Sequence, residues 1–148
     1  MKVAVLGCGT IGRGVVDILL NGVKGMKLAK ILDKKEKFVP ELIEYYTDNV
    51  DDIMLDESID TVVETMGGRG FSYTCVRRAL ELGKNVVTAN KELIAYHLKE
   101  LSDLADEKGV YLLYEASVGG GIPFIKTLSN LSQINRSKSI IGILNGTT

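Results

Sequence analysis

These 148 residues contain one histidine, two prolines, two cysteines and no tryptophan. A lone histidine cannot build a multi-histidine metal centre. Cys8 and Cys75 lie far apart and lack metal-type spacing, which suggests reduced thiols in a cytoplasmic protein. With so little proline and no low-complexity stretch, the chain shows no internal linker and no repeat. A formal net charge of -1 gives no electrostatic case for nucleic acid or an anionic membrane. No apolar run approaches the ~20 residues of a membrane span. The run at residues 3–6 is too short for the core of a signal peptide.

The composition that remains, 45% hydrophobic and 25% charged, is that of an ordinary globular protein. One domain of this length buries roughly 70% of the surface of its unfolded chain. Short apolar runs at residues 3–6, 28–32, 60–65, 86–88 and 110–114 read as strands, with a last one at 139–144. Helical spacing joins Ile11, Val15, Ile18 and Leu19 in a helix stopped by Asn21-Gly22. A second helix is marked by Phe71, Cys75, Ala79 and Leu82 and stops at Gly83. A third, with Leu98, Leu101, Leu104 and Ala105, stops at Gly109, and a fourth covers 122–131. The stretch 38–55 is expected to hold a short helix at 41–45, a short strand at Tyr46-Thr47 and a helix near 50–55. Strands alternating with helices imply an α/β fold, a Rossmann-type doubly wound, mainly parallel sheet with helices on both faces. Ligands bind such sheets at the carboxyl ends of strands, where the unusual segments of this chain fall.

Gly7-Cys8-Gly9-Thr10-Ile11-Gly12 follows the first strand and opens the first helix, the context that gives G-x-G-x-x-G its meaning. The first glycine permits a tight turn, the second lets pyrophosphate approach the backbone, and the third lets helix and strand pack closely. The helix N-terminus attracts the negative charge. A glycine turn with no ligand is the alternative. Asp33 lies about 20 residues further on, where an acidic group accepts the ribose 2′-hydroxyl of NAD. Lys34 and Lys35 follow at once and could hold the 2′-phosphate of NADP instead, or all three could be a solvated charge cluster. Cys8 sits where a helix lowers thiol pKa, but with no base nearby in sequence it reads as a small filler.

Asn90 is a good N-cap for the helix that follows, and it places Lys91 in the first turn, where the helix dipole opposes a cation. A locally unfavourable lysine at a strand's carboxyl end suits binding of a substrate carboxylate or hydroxyl, or proton transfer. The plain alternative is a lysine reaching into solvent. Gly119-Gly120-Gly121, beside Glu115, leaves backbone carbonyls unshielded and could hold a hard cation. The same glycines could simply let two backbones pack. His97, one position from an apolar helical stripe, reads as a surface residue.

Five segments occur here in the order found in homoserine dehydrogenases, and the chain resembles that family over its whole length. They are Gly7-Cys8-Gly9-Thr10-Ile11-Gly12, Val62-Val63-Glu64-Thr65-Met66-Gly67-Gly68, Val87-Thr88-Ala89-Asn90-Lys91, Glu115-Ala116-Ser117-Val118-Gly119-Gly120-Gly121-Ile122-Pro123 and Gly142-Ile143-Leu144-Asn145-Gly146-Thr147-Thr148. The resemblance implies interconversion of L-homoserine and L-aspartate 4-semialdehyde with NAD or NADP, on the route to threonine and methionine. It implies that Gly7, Gly9, Thr10, Ile11 and Gly12 hold pyrophosphate and that Thr65, Met66, Gly67 and Thr88 line the nicotinamide side. Lys91 resembles the family lysine that contacts cofactor and substrate. Glu115, with the carbonyls of Val118, Gly120 and Ile122, resembles a monovalent-cation site, expected to take Na⁺. Asn145, Gly146 and Thr147 correspond to a segment that enters the active site.

Two departures qualify the resemblance. Many relatives carry an arginine near the end of strand two, where this chain has Leu32-Asp33, so the choice between NAD and NADP stays open. The family continues into a domain that supplies a second lysine, substrate-binding acids and a homodimer interface. Residues 1–148 are therefore expected to be the dinucleotide-binding domain alone, binding cofactor without turnover. A non-catalytic NAD(P)-sensing module, a methyltransferase and another semialdehyde dehydrogenase are the rival readings.

Overall fold

The computed structural model describes residues 1–142. Six strands form one sheet in the order β3-β2-β1-β4-β5-β6, and every pairing is parallel. The strands are β1 (Lys2–Leu6), β2 (Lys27–Leu32), β3 (Tyr46–Thr47), β4 (Thr61–Glu64), β5 (Asn85–Thr88) and β6 (Leu112–Leu113). The helices between and after them are α1 (Thr10–Leu20), α2 (Asp51–Met54), α3 (Gly70–Glu81), α4 (Lys91–Lys108) and α5 (Ile125–Ser132). This is the expected doubly wound fold, and the strand order reverses between β1 and β4.

Alternation along β1 shows how the sheet is covered. Val3 and Val5 pack with Val16 and Leu19 of α1, together with Ile31, Leu42 and Tyr46. Ala4 and Leu6 face the other way, into a larger core with Ile53, Val76, Leu80, Leu93 and Leu101 from α2, α3 and α4. Because both faces are covered, the middles of the central strands (residues 3–6, Val62-Val63, Val86-Val87) are apolar on both faces, which is why they read as continuous runs rather than alternating ones. Burial pushes the Cys75 thiol in that larger core up to about 11, and the nearby Glu64 carboxylate adds to the shift.

Several expectations differ from the structure in instructive ways. The buried face of α1 is Gly12, Val16 and Leu19, while Ile11 and Ile18 are exposed. The apolar pattern was displaced by one position because glycine, not a side chain, makes the closest contact. Instead of a helix at 41–45 there is one 3-10 turn at Pro40–Leu42, after which the chain enters β3. Helix α5 starts at Ile125 rather than 122, because Pro123 disfavours the helical region for the residue before it. The strand expected at 110–114 pairs with β5 only through Leu112 and Leu113. Residues 139–142 form no strand, and the remainder of the strand expected at 139–144 lies outside the described residues. Among the described residues, no helix is long and apolar enough to cross a membrane.

Candidate cofactor-binding site

The loop after β1 is built by close backbone contact. Gly7 has φ +90, and a Cβ added there would lie 2.9 Å from Met66 Cγ. At Gly12 an added Cβ would lie 1.9 Å from the Gly7 carbonyl oxygen, so only glycine lets α1 begin there. Gly9 is different: nothing lies within 4 Å of where its Cβ would be. Two glycines therefore serve packing, and the one between them leaves open space in front of a helix N-terminus. The Thr65 hydroxyl donates to the Gly7 carbonyl at 2.7 Å, tying this loop to the end of β4.

A cavity of about 640 Å³ opens where β1, β2 and β4 end. Gly7, Gly9, Asp33, Thr65, Met66 and Gly67 line it, so six of the expected cofactor residues meet around one space. Thr10 and Ile11 are exposed on the first turn of α1. The Asp33 carboxylate is turned inward, with its side chain 8% exposed. One oxygen accepts the Cys8 N–H at 2.8 Å and the other accepts the Lys34 N–H at 2.8 Å. Lys34, Lys35 and Lys37 also line the cavity, and Lys37 was not singled out from the sequence. A glycine cradle with open space beside Gly9, at a helix N-terminus, fits a dinucleotide pyrophosphate. Cys8 is a half-buried free thiol. Burial raises the Tyr46 pKa, and the neighbouring Cys8 adds to the rise.

Thr88 does not face this cavity. It is fully buried, and its hydroxyl donates to Glu64 at 2.6 Å. Glu64, also fully buried, accepts the N–H groups of Met66 at 2.8 Å and Gly67 at 3.2 Å on its other oxygen. The sequence reading left Glu64 without a role. An acidic residue closing the apolar run Thr61-Val62-Val63 was the available signal, since a buried carboxylate requires donors. Asn90 caps α4 as expected, accepting the Leu93 N–H at 3.0 Å. Its own N–H donates to Thr88 Oγ1 at 3.0 Å, and its side-chain amide donates to the Gly68 carbonyl at 2.6 Å. Lys91 is the first residue of α4 and is exposed.

Glu115 has a local task. Its two oxygens accept the N–H groups of Ile125 at 2.9 Å and Lys126 at 2.8 Å, at the start of α5. The carbonyls of Val118, Gly120 and Ile122 take no hydrogen bond among the described residues. Among those residues there is also no group of three His, Cys, Asp or Glu side chains able to hold a metal. Asn145, Gly146 and Thr147 lie outside the described residues. His97 is half-buried at the surface of α4, its ring tilted against that of Tyr73 with centroids 4.2 Å apart.

Residues 7–115 match the family model described as homoserine dehydrogenase, NAD binding domain. The chain belongs to the homoserine dehydrogenase family. A homoserine dehydrogenase of Synechocystis is 40% identical over an alignment that covers 100% of this chain and 36% of that protein. The S. aureus homoserine dehydrogenase crystal structure matches with a TM-score of 0.73 at 41% identity, covering 82% of this chain and 33% of the other. The Thiobacillus denitrificans structure matches with a TM-score of 0.78 at 32% identity, covering 90% of this chain and 33% of the other. The chain thus spans about 36% of the length of the Synechocystis relative. In this family the matched region is the NAD(P)-binding domain, which agrees with the cavity at the switch point.

Proposed function

We propose that this chain supplies the dinucleotide-binding half of an oxidoreductase that interconverts L-homoserine and L-aspartate 4-semialdehyde with NAD or NADP. The observation that carries the reading is the convergence of the glycine cradle, Asp33 and the Thr65-Met66-Gly67 turn on one cavity at the sheet's switch point. Gly7, Gly9 and Gly12, with the first turn of α1, hold the pyrophosphate. Thr65, Met66 and Gly67 shape the nicotinamide side, and Thr88 acts there from behind through Glu64. A bound nicotinamide would supply hydride exchange at the hydroxyl-bearing carbon of homoserine. Lys91, held at the head of α4 by the Asn90 cap, meets the substrate hydroxyl and orients or moves its proton. Asn145, Gly146 and Thr147 contribute to the substrate side. The carbonyls of Val118, Gly120 and Ile122, with the lone pairs of Glu115 not used by α5, would hold a sodium ion.

The cavity wall carries determinants for both cofactors: a carboxylate at Asp33 and amines at Lys34, Lys35 and Lys37. Titration of the purified chain with NADH and NADPH, followed by nicotinamide fluorescence, distinguishes them. Tighter NADH binding that is lost in Asp33→Ala makes Asp33 the ribose ligand. Tighter NADPH binding that is weakened in Lys34→Ala or Lys35→Ala makes the lysines a phosphate site. Binding of neither defeats the reading for this chain. As about a third of its relatives' length, the chain alone is expected to bind dinucleotide and show no homoserine oxidation. Measurable turnover by the purified chain would overturn that expectation.

A further inference from the structure

We infer that Glu64 is a positioning residue that sets the nicotinamide end of the cavity and the head of α4 as one unit. The inference rests on the dinucleotide reading above. Glu64 ends β4, beside the switch point, and is 0% exposed. One oxygen gathers two successive backbone N–H groups, those of Met66 and Gly67, and so holds the turn that lines the cavity. The other accepts the Thr88 hydroxyl at 2.6 Å, at the end of the neighbouring strand. Thr88 Oγ1 in turn accepts the Asn90 N–H, and Asn90 caps the helix whose first residue is Lys91. Asn90 closes the circuit by donating to the Gly68 carbonyl, which also accepts the Ser72 hydroxyl at 2.5 Å. One carboxylate thereby joins the turn after β4 to the start of α4. A change at either end is transmitted through buried hydrogen bonds rather than through mobile side chains.

The chemistry of the contacts requires a carboxylate. Three donors converge on it, and glutamine would replace one acceptor oxygen with an NH₂ donor. That NH₂ must face either the Met66 and Gly67 amides or the Thr88 hydroxyl. The first choice sets donors against donors, and the second displaces the Thr88 proton from its acceptor. The first loosens the turn at residues 65–68 and the second loosens its tie to the head of α4; both leave the adenosine end, at Asp33 and Lys34, untouched.

The test compares ligands that share the adenosine and pyrophosphate but differ in the nicotinamide. Wild-type chain and Glu64→Gln are titrated with NADH and NADPH and with ADP-ribose and its 2′-phosphate. The expected result is a 5- to 20-fold loss of reduced-dinucleotide affinity, with ADP-ribose affinity kept within twofold. The emission shift of the bound nicotinamide should be reduced too, which a merely destabilised fold would not produce selectively. Equal losses for both ligands, or no loss for either, overturn the inference. Thr88→Val, of nearly the same shape, should give a smaller loss with the same selectivity. It decides the matter if Glu64→Gln does not fold, and failure of both to fold marks the network as scaffold only and overturns the proposal. Absence of dinucleotide binding by the wild-type chain would defeat the underlying reading and this inference with it.

Discussion

Two glycine-rich loops of this chain, at residues 7–12 and 119–121, look alike in sequence and differ in what their glycines do. In residues 7–12, Gly12 is demanded by contact with the Gly7 carbonyl, and Gly7 both by contact with Met66 and by a φ of +90. In residues 119–121, Gly119 and Gly120 are demanded by backbone angle, with φ +72 and +60. Gly121 has no atom within 4 Å of an added Cβ and an ordinary φ. The first loop is bolted to β4 through Thr65 and to β2 through Asp33, and it feeds α1 into a fully buried core. The second feeds α5, which buries none of its residues, and local side-chain contacts join the two: Glu115 accepts from Ile125 and Lys126, and Thr127 donates to the Pro123 carbonyl. Glycine thus serves turn geometry in both loops and close approach only in the first. Only the first case builds a cavity on the sheet.

This contrast can be broken by substitution. Gly12→Ala should be the most damaging, because the clash is with backbone that cannot rotate away. A loss of about 3 kcal/mol in chemical denaturation is expected, and an unchanged midpoint would show that α1 can shift at no cost. Gly9→Ala should separate binding from folding. Stability should hold within about 0.5 kcal/mol, while dinucleotide affinity falls at least about tenfold, or ~1.4 kcal/mol; intact binding would remove Gly9 from the pyrophosphate site. Glu115→Gln loses one of two charge-assisted caps, and about 1 kcal/mol of local protection in α5 should go with it. Hydrogen exchange reads this directly, and a change that spread to residues 7–12 would contradict the independence of the loops. Gly121→Ala should be neutral within about 0.5 kcal/mol in melting experiments.

Much of the fold was legible in the sequence because its signals are local. The central strands are apolar on both faces, and Gly83 and Gly109 end their helices in left-handed turns at φ +73 and +66. The Asn90 cap was legible for the same reason, since its hydrogen bond spans three residues. The face of α1 was misjudged because periodicity counts apolar side chains and is blind to a glycine that packs by having none. The short reach of β6 was equally hidden: it pairs with only Val86 and Val87 of the four residues of β5, a limit that the run of apolar residues does not record. Lys37 escaped notice because a lysine beside other lysines carries no spacing signal, and only the fold of the turn at Lys35–Lys37 brings it to the cavity.

The alternation of strands and helices, the glycine fingerprint and its place after β1, and the family can all be read from the chain alone. Each of these is carried by local pattern or by the order of short motifs. Tertiary structure alone decided that Thr88 is buried behind the site rather than in it, that Asp33 turns toward the Cys8 amide, and that Glu64 joins two strand ends. Those outcomes depend on partners 24 or 25 residues away in the chain. A buried hydrogen bond is satisfied by whichever group the parallel sheet places opposite, and no spacing rule along one strand can name that group.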